Sequence, residues 1–378
     1  MWMHCASLGE FEQGRPLLEK IRINYPSCKI VVTFFSPSGY QVMKNFKGSD
    51  HIFYLPADSA GIAKKFIEEI KPTLVLWVKY EYWFYYLNEL KRRNIPTLLI
   101  SGIYRRNMPF FKWYGVLWKK VLNNFTHFFL QNNQSKNILE KVVATDKITV
   151  SGDTRFDRVI TIAEKFEPIP QIERFCGNSR VIVAGSTWED DEAEWVHYAK
   201  VHAEIKFIIA PHEIDKENLA DVKKQFPKSI FYSEWAANWQ RTAGDRPHTT
   251  SNEPEINCLI IDNIGMLSRL YKYSTISYVG GGFGDDGLHN ILEAAVYGKP
   301  VIFGPQFEKN FEAAEMIESG GGISIESAID LEKLLNKLLS DDTELIKRGN
   351  AAKEYVYKNA GATEKIMDFI QKKRLLTN

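Results

Sequence analysis

The first side chain that could act as a general base stands close to the start of the chain. His4-Cys5-Ala6-Ser7-Leu8-Gly9-Glu10 has the pattern of a strand that enters a turn, with Glu10 in the first turn of the following helix. A carboxylate there can accept a proton from an alcohol if partial burial raises its pKa. Ser7-x-x-Glu10 is also the spacing of a capping box, in which both side chains bind their own backbone. The sequence leaves both roles open.

A glycine-rich turn in the second half of the chain could bind a phosphate. Residues 278–293 have the pattern of a strand, a turn and a helix, and Gly282-x-Gly284-x-x-Gly287 matches a dinucleotide fingerprint. Asp285 and Asp286 would place negative charge against a pyrophosphate, so we expect a single phosphate at the helix start. The residues expected to hold it are Gly281, Gly282, His289 and Asn290. Glu293 is expected to accept from sugar hydroxyls, and a glycine turn without a ligand is the alternative.

Two other polar segments follow predicted strands of the same half. Val183-Ala184-Gly185-Ser186-Thr187 ends in hydroxyl groups, and Pro211-His212 follows the next strand. Ser186 and Thr187 could bind an anion or could cap the next helix. His212 could join that anion site or be an ordinary loop histidine.

Positively charged side chains occur at two further places. Arg155, in Gly152-Asp153-Thr154-Arg155-Phe156-Asp157, could reach a bound anion or could pair with a neighbouring aspartate. Segment 104–114 alternates aromatic residues with cations, and aromatic run 80–86 precedes it. That mixture suits a phosphorylated lipid at a membrane surface, although packing of an amphipathic helix would give the same pattern. The candidate lipid-binding cations are Arg105, Arg106 and Lys112.

The elements that position these residues alternate between apolar strands and amphipathic helices, which is typical of parallel α/β sheets. Strands are predicted at 1–6, 29–35, 51–55, 73–78, 97–101 and 126–130, and again at 180–184, 206–210, 229–232, 257–260, 276–280 and 300–303. Helical patterns between the first strands cover 11–24, 38–46, 60–70 and 83–93. We therefore expect two doubly wound, Rossmann-like domains that face each other across a crevice. Ligands of such sheets bind at the carboxyl ends of the strands.

The predicted domain organisation follows from interruptions in this pattern. Residues 1–157 are expected to form one Rossmann-like domain, and 158–178, with Pro168 and Pro170, a linker. Residues 179–355 are expected to form a second Rossmann-like domain, in which the polar segment 240–256 is a surface loop. A final helix at 356–378 is expected to pack back toward the first domain.

Composition excludes several classes of protein. The 378 residues carry 48 Lys plus Arg against 47 Asp plus Glu, so no overall charge favours nucleic acid binding. The four cysteines lie far apart, which indicates neither disulfides nor a zinc site. No Asp-x-Asp occurs, so we expect no metal-bridged sugar diphosphate. The chain shows no apolar run long enough for a bilayer and no signal peptide. Its abrupt start in a strand suggests that a preceding segment was removed.

A series of motifs, taken in order, resembles the 3-deoxy-D-manno-octulosonic acid (Kdo) transferase family of lipopolysaccharide biosynthesis over nearly the whole chain. The motifs are His4-x-x-Ser7-x-Gly9-Glu10, Thr33-Phe34-Phe35-Ser36-Pro37-Ser38-Gly39-Tyr40, Gly152 to Asp157, Gly185-Ser186-Thr187, Asp262 to Leu267, His289-Asn290-x-x-Glu293-Ala294-Ala295, and Val301-Ile302-Phe303-Gly304-Pro305 with Asn310-Phe311.

The resemblance implies a GT-B glycosyltransferase that attaches Kdo from CMP-Kdo to the lipid A precursor, inverting the anomeric centre without a metal. It also implies that domain 1–157 binds the acceptor and that domain 179–355 binds the nucleotide sugar. Its implied place is the cytoplasmic face of the inner membrane of a Gram-negative bacterium, as a peripheral protein. Glu10 matches the family's general base, and Glu81 and Arg155 match positions for transition-state support. The implied CMP contacts are Pro211, His212, Gly265, Met266, Leu267, Asn290, Ile291, Leu292 and Glu293.

The chain departs from the family's pattern at four places. The family usually has lysine where Arg155 stands and commonly arginine where His212 stands. Ser101-Gly102-Ile103 replaces an Asn-Ala-Arg run, so that Arg105 or Arg106 would supply the missing cation. The family's hydrophobic N-terminal segment is also absent, which would explain the abrupt start.

Two alternative functions fit the same residues. One is a GT-B enzyme that acts on a UDP-sugar, as a transferase or an epimerase. The other is a sugar-nucleotide-binding protein or membrane-surface adaptor that has lost catalysis.

Overall fold

The computed structural model describes residues 1–79, 81–113, 115–242, 256–285 and 287–377. The chain divides into two compact units, the first formed by Met1–Arg158 with Asn359–Asn378 and the second by Val159–Lys358. Each unit is built on a seven-stranded sheet. All strand pairs recorded between the described residues are parallel.

The first sheet has the strand order β3-β2-β1-β4-β5-β6-β7. Its strands are β1 (Trp2–Cys5), β2 (Val31–Phe34), β3 (His51–Tyr54), β4 (Val75–Val78), β5 (Thr97–Gly102), β6 (His127–Leu130) and β7 (Ile148–Val150). The helices that follow these strands are α1 (Leu8–Asn24), α2 (Pro37–Met43), α3 (Ala60–Ile70), α4 (Phe84–Arg92), α5 (Val116–Leu122), α6 (Asn133–Leu139) and α7 (Thr154–Glu164).

The second sheet has the order β10-β11-β9-β8-β12-β13-β14. Its strands are β8 (Val181–Thr187), β9 (Lys206–Pro211), β10 (Ser229–Phe231), β11 (Cys258–Ile260), β12 (Ile276–Val279), β13 (Val301–Phe303) and β14 (Gly322–Ser324). The remaining helices are α8 (Pro170–Cys176), α9 (Glu189–Val201), α10 (Lys216–Gln225), α11 (Tyr232–Thr242), α12 (Leu267–Leu270), α13 (Leu292–Ala295), α14 (Phe311–Glu318), α15 (Ala328–Leu339), α16 (Asp342–Lys358) and α17 (Ala362–Lys372).

The prediction of two doubly wound α/β domains is confirmed. The central strands were recognisable because helices cover both faces of a parallel sheet, so these strands are short continuous apolar runs. β1 and β4, for example, are buried at every residue. β7 and β14, each of three residues at an edge of its sheet, were missed, whereas β10, equally short and also at an edge, was predicted.

The segments between and after the sheets differ from expectation in detail. The predicted linker 158–178 contains the end of α7 and the whole of α8, and the boundary between the compact units falls within α7. Of the predicted loop 240–256, residues 240–242 belong to α11, while 243–255 lie outside the described residues. No helix among the described residues is both long and apolar enough to cross a lipid bilayer.

Helix α17 belongs to the first unit. The Asp157 carboxylate accepts hydrogen bonds from the backbone N–H groups of Gly361 and Thr363, each at 2.6 Å, at the start of this helix. Ile366 and Ile370 are fully buried in the apolar cluster that also contains Met3 of β1. The C-terminal helix therefore completes the core under the first sheet.

Each sheet changes winding direction at one point. In the first sheet the chain moves outward from β1 to β2 and β3, and then crosses back to β4 on the other side of β1. In the second sheet the same change occurs between β8 and β12. Loops diverge at such a switch point and leave a crevice at the carboxyl ends of the strands, where ligands of α/β sheets bind.

Candidate active site

Glu10 lies beside the switch point of the first sheet, in the first turn of α1. Ser7 is the N-cap of this helix, and its hydroxyl accepts a long hydrogen bond from the Glu10 N–H at 3.5 Å. Glu10 Oε2 accepts from the Ala6 N–H at 2.5 Å, so the carboxylate holds the strand-to-helix turn. Oε1 has no hydrogen-bond partner among the described residues. One oxygen of the carboxylate is therefore structural, and the other is available to a substrate.

The surroundings of Glu10 make it a stronger base than an exposed glutamate. The residue is only 9% exposed. Burial raises its pKa to about 7; the Ala6 N–H and the charge of Lys79 oppose this rise, and the negative charge of Glu81 adds to it. A carboxyl group with this pKa is partly ionised near neutral pH and can take up a proton from a reacting hydroxyl.

Glu81 follows β4 and lies near Glu10 because β1 and β4 are neighbours in the sheet. Burial raises the pKa of Glu81 as well. Two tryptophans hold its loop: the Trp77 indole N–H donates to the Glu81 carbonyl oxygen, and the Trp83 indole N–H donates to His4 Nε2 at 3.2 Å. The structure thus brings together two of the predicted catalytic residues, Glu10 and Glu81.

His4 has a fixed, uncharged state that the sequence did not reveal. The side chain is fully buried, and burial lowers its pKa to about 3. Because an indole N–H can only donate, the bond from Trp83 requires an unprotonated Nε2. The proton is therefore on Nδ1, which donates to Thr33 Oγ1 at 2.9 Å. His4 and Trp83 are 79 positions apart, and only the adjacency of β1 and β4 brings them together.

Arg155 is paired with an aspartate in its own segment. The Asp153 carboxylate accepts from Arg155 Nε at 2.9 Å and contacts its Nη2 at 2.8 Å. Asp153 is itself 5% exposed and also accepts from Gln13 Nε2 at 3.3 Å, one turn beyond Glu10 on α1. The ion pair between Arg155 and a neighbouring aspartate, one of the two alternatives that the sequence left open, is therefore present. It neutralises part of the Arg155 charge within the first unit.

The segment proposed to meet a lipid has both buried and exposed aromatics. Tyr104 and Phe110 pack in the apolar core of the first unit, whereas Trp113 is 90% exposed. Arg105 and Arg106 are exposed and Lys112 is half-buried. The structure has a short 3-10 turn at Pro109–Phe111 in place of a longer helix. Tyr80, the first residue of the aromatic run, and Tyr114 lie outside the described residues.

In the second unit, Ser186 and Thr187 end β8 beside the switch point. Ser186 has a left-handed backbone with φ of 52° at a register shift between β8 and β9. A non-glycine residue in this conformation is strained, and such strain concentrates at functional sites. The Thr187 hydroxyl is buried and donates to Glu192 Oε1 at 2.8 Å. Of the two predicted hydroxyls, only that of Ser186 remains partly accessible.

His212 and His289, both predicted to bind the nucleotide, form an aromatic cluster with Trp188. Pro211, the last residue of β9, stands opposite Thr187, which brings His212 to the end of β8. The His212 ring stacks on Trp188 with ring centres 4.6 Å apart and on His289 at 4.5 Å. The Trp188 indole N–H donates to His289 Nε2 at 3.2 Å. The sequence did not single out Trp188, since its role depends on two strands that lie beside β8.

The glycine turn after β12 packs directly on backbone. A Cβ atom on Gly280 would lie 2.3 Å from the Ser186 carbonyl oxygen, and one on Gly282 would lie 2.6 Å from the Gly304 nitrogen. Glycine at these positions allows the turn to approach β8 and the end of β13. Gly281, with φ of 87°, is buried between them.

The predicted helix start after this turn differs from expectation. Helix α13 has only four residues and begins at Leu292, whose N–H donates to Asn290 Oδ1 at 3.3 Å. The His289 N–H donates to the Gly280 carbonyl oxygen. Asn290 Nδ2 donates to Glu293 Oε1 at 3.2 Å, so this carboxylate has a protein partner. A four-residue helix provides only a weak dipole, and the N–H groups of His289 and Leu292 already have partners within the protein.

The other predicted nucleotide contacts are mostly buried. Ile291 and Leu292 are fully buried, backbone included, so neither presents accessible surface to a ligand, and Met266 is 8% exposed. Gly265 is exposed with φ of 93°. The Leu267 side chain packs against Gly185, which places this loop beside the end of β8. Asp286 lies outside the described residues. In the described part of the chain, no group of three or more His, Cys, Asp or Glu side chains could hold a metal ion.

Comparison with known proteins identifies the family. Residues 1–158 match the model of the 3-deoxy-D-manno-octulosonic-acid transferase (Kdo transferase) family. Kdo transferases of Chlamydophila psittaci and Aquifex aeolicus are 27% and 26% identical, over 91% of this chain and 78% and 87% of theirs. The first 158 residues thus match the Kdo transferase family, and the chain is similar to Kdo transferases over about nine-tenths of its length. The resemblance noted in the sequence is confirmed, and the protein is a glycosyltransferase.

Another relative is larger, and the solved structures are less similar in sequence. A bifunctional glycosyltransferase/methyltransferase of Fusobacterium nucleatum is 27% identical over 89% of this chain, which spans about half, 52%, of that relative. The UDP-GlcNAc 2-epimerase of Neisseria meningitidis superposes with a TM-score of 0.68 at 17% identity, covering 98% of this chain and 99% of the other. A glycosyltransferase of Rickettsia africae gives 0.62 at 17% identity, covering 100% and 98%. These structures share the GT-B fold.

The raised pKa of Glu10 predicts how the stability of the folded protein depends on pH. In the unfolded chain the carboxyl ionises near its usual value of 4.5, but in the folded protein only near 7. Between these values the unfolded state binds fewer protons, so the folded state loses stability as pH rises. Glu10→Gln keeps an acceptor for Ala6 and removes the ionisation. The variant should gain stability relative to wild type from about pH 4.5 to about pH 7, measured by urea unfolding.

Glu12→Gln is the matched control for that measurement. Glu12 lies on the same helix but is more exposed, and it pairs with Arg15 and Arg158. Its replacement should bring no such gain. A difference between Glu10→Gln and wild type that stays constant over this pH range would contradict the raised pKa.

Proposed function

We propose that this protein transfers Kdo from CMP-Kdo to a hydroxyl group of the lipid A precursor, with inversion at the anomeric carbon and without a metal ion. The single observation that carries this proposal is Glu10, a buried carboxyl with a pKa of about 7 and one oxygen that has no partner among the described residues, in the segment that matches the Kdo transferase family. The Kdo transferase relatives support the choice of sugar.

In this mechanism Glu10 Oε1 removes the proton of the acceptor hydroxyl as the acceptor oxygen attacks the anomeric carbon of Kdo. The bond between that carbon and the CMP phosphate oxygen breaks, and its electron pair leaves with CMP. The new glycosidic bond forms on the opposite face, which inverts the centre. Glu10 Oε2 keeps its bond to the Ala6 N–H throughout, so the base does not change position. Burial is the main cause of the raised pKa of Glu10, and the negative charge of Glu81 adds to it.

The second unit provides the groups that suit the departing phosphate. Its candidate donors are the Ser186 hydroxyl and the backbone N–H group of Asn290, two residues that are partly accessible. The stacked rings of His212 and His289 are further candidates. Such preorganised donors stabilise charge that develops in the transition state. Arg155 is expected to contribute less than a free cation because Asp153 lies 2.8 Å from its guanidinium group. Kdo's own carboxylate helps the sugar to tolerate an oxocarbenium-like state.

The acceptor is proposed to bind through the segment after β5. Arg105, Arg106 and Lys112 suit the phosphates of a lipid head group, and the exposed Trp113 suits the membrane interface. This arrangement supports peripheral association with the cytoplasmic face of the inner membrane of a Gram-negative bacterium.

The decisive experiment is incubation with CMP-Kdo and a lipid A precursor, followed by mass spectrometry of the lipid. We expect the wild type to add Kdo and Glu10→Gln to lose about 10²–10⁴-fold in rate, as expected when a general base is removed. Because Glu10 does not contact the nucleotide in this account, CMP binding should be retained. Glu19→Gln, which removes another carboxylate of α1 paired with Arg15, should transfer Kdo like wild type.

Two outcomes of this experiment would overturn the assignment of Glu10. Transfer by Glu10→Gln at the wild-type rate would show that the residue only holds its turn. Equal loss of transfer and of CMP binding would show a general structural role.

The identity of the nucleotide has its own test. CMP should raise the melting temperature of the wild-type protein, since a ligand that binds only the folded state stabilises by about 2.7 kcal/mol at a hundred times its Kd. UDP should have little effect. A larger shift with UDP would favour a UDP-sugar enzyme. A shift with CMP but no transfer would favour a sugar-nucleotide-binding protein without catalysis.

A further inference from the structure

A buried carboxylate that the proposed mechanism does not use lies at the switch point of the second sheet. Asp191, in the first turn of α9, is fully buried. Its Oδ2 accepts from the Trp188 N–H at 3.0 Å and from the Gly281 N–H at 2.8 Å. Its Oδ1 accepts from the Tyr278 hydroxyl at 2.6 Å. Both oxygens are therefore engaged, by three separate segments.

These three segments are the ones that form the candidate donor site. Trp188 follows β8, Tyr278 lies within β12, and Gly281 belongs to the glycine turn. Removal of such a carboxylate would leave two backbone N–H groups and a hydroxyl buried without partners, which is unfavourable.

The fit around Asp191 depends on the glycine turn. A Cβ on Gly280 would lie 2.7 Å from Asp191 Oδ2. Any larger residue at position 280 would therefore clash with the carboxylate. The Gly280 N–H in turn donates to the Gly185 carbonyl oxygen at 2.9 Å. Asp191 therefore lies beside the paired ends of β8 and β12.

The contacts of Asp191 extend to the aromatic cluster. Gly280 accepts from the His289 N–H at 3.1 Å, and His289 Nε2 accepts from the Trp188 indole at 3.2 Å. Asp191 thus fixes the backbone of Trp188 and the turn that leads to His289. His212 stacks on both rings. Displacement of either backbone segment would separate the cluster.

A buried carboxylate is costly unless donors compensate for the lost hydration. Burial raises the pKa of Asp191, and the Tyr278 hydroxyl with the Gly281 and Trp188 N–H groups opposes that rise. The three hydrogen bonds offset the desolvation of the Asp191 carboxylate only when the loops have this arrangement. A group of this kind favours a single preformed geometry over alternatives.

We propose that Asp191 is a positioning residue for the donor site, which holds Trp188 and the glycine turn so that the Trp188–His212–His289 cluster is preformed for a sugar linked to a nucleoside monophosphate. The identity of the ligand in this inference rests on the proposed function. The contacts of Asp191 with the three segments do not depend on that function.

The test measures CMP binding by a variant of Asp191 and by two variants that each lack one buried tyrosine hydroxyl. Tyr278→Phe removes the donor to Asp191, whereas Tyr198→Phe removes a buried tyrosine hydroxyl of α9 that donates to Asn336 at 3.0 Å. Asp191→Asn preserves volume but cannot accept all three bonds. We expect Asp191→Asn to weaken CMP binding about tenfold, the size of one charged hydrogen bond, and Tyr278→Phe to weaken it less. Tyr198→Phe should bind like wild type.

Two further readouts separate positioning from general stability. In the transfer assay Asp191→Asn should raise KM for CMP-Kdo more than it lowers kcat, because Glu10 is untouched. Amide hydrogen exchange at Trp188 and Gly281 should accelerate in Asp191→Asn and stay unchanged in Tyr198→Phe. Wild-type CMP affinity in Asp191→Asn, or an equal loss in Tyr198→Phe, would overturn the inference. If wild type itself fails to bind CMP, the proposed function fails, and the exchange rates still decide whether Asp191 holds these segments.

Discussion

Parallel pairing of β1 with both β2 and β4 is the constraint on which the chemistry of the first unit depends. Residue His4 stands opposite Thr33 on one side and Trp77 on the other. The loops after these strands therefore meet at one edge, and they carry Glu10 and Glu81. The pairing of β8 with β9 and β12 does the same for Ser186, His212 and the glycine turn. In both sheets the side chains of interest follow the strands at the switch point, as the topology requires.

The two units place a carboxylate at the same point, the third residue of the helix after the first strand. Glu10 in α1 and Asp191 in α9 both accept a backbone N–H from the turn before their helix. The number of further donors distinguishes them. Asp191 receives two more hydrogen bonds, which occupy both oxygens. Glu10 keeps Oε1 without a partner among the described residues, and burial raises its pKa to about 7. Holding a turn and acting as a base are therefore compatible roles for one carboxylate.

Local patterns in the sequence predicted those features that are determined by residues close together in the chain, such as strands and helix starts. Buried parallel strands are apolar runs, and Ser7-x-x-Glu10 marks a helix start, so most strands and the place of Glu10 could be predicted. Contacts across strands could not be predicted. The bonds of Trp83 to His4 and of Asp191 to Gly281 each depend on which strands are neighbours. The sequence predicted a phosphate site at the start of a helix, but α13 has only four residues and provides a weak dipole for binding an anion. The sequence alone did not show how short this helix is.

The pH dependence of single-turnover Kdo transfer from CMP-Kdo tests the central claim, that a buried Glu10 with a raised pKa is the base. Below the pKa only the ionised fraction can accept a proton. The rate should therefore fall about tenfold for each pH unit on the acid side and level off above about 7. A rate that does not change with pH through this region, or that falls only near the usual glutamate value of 4.5, would contradict the account.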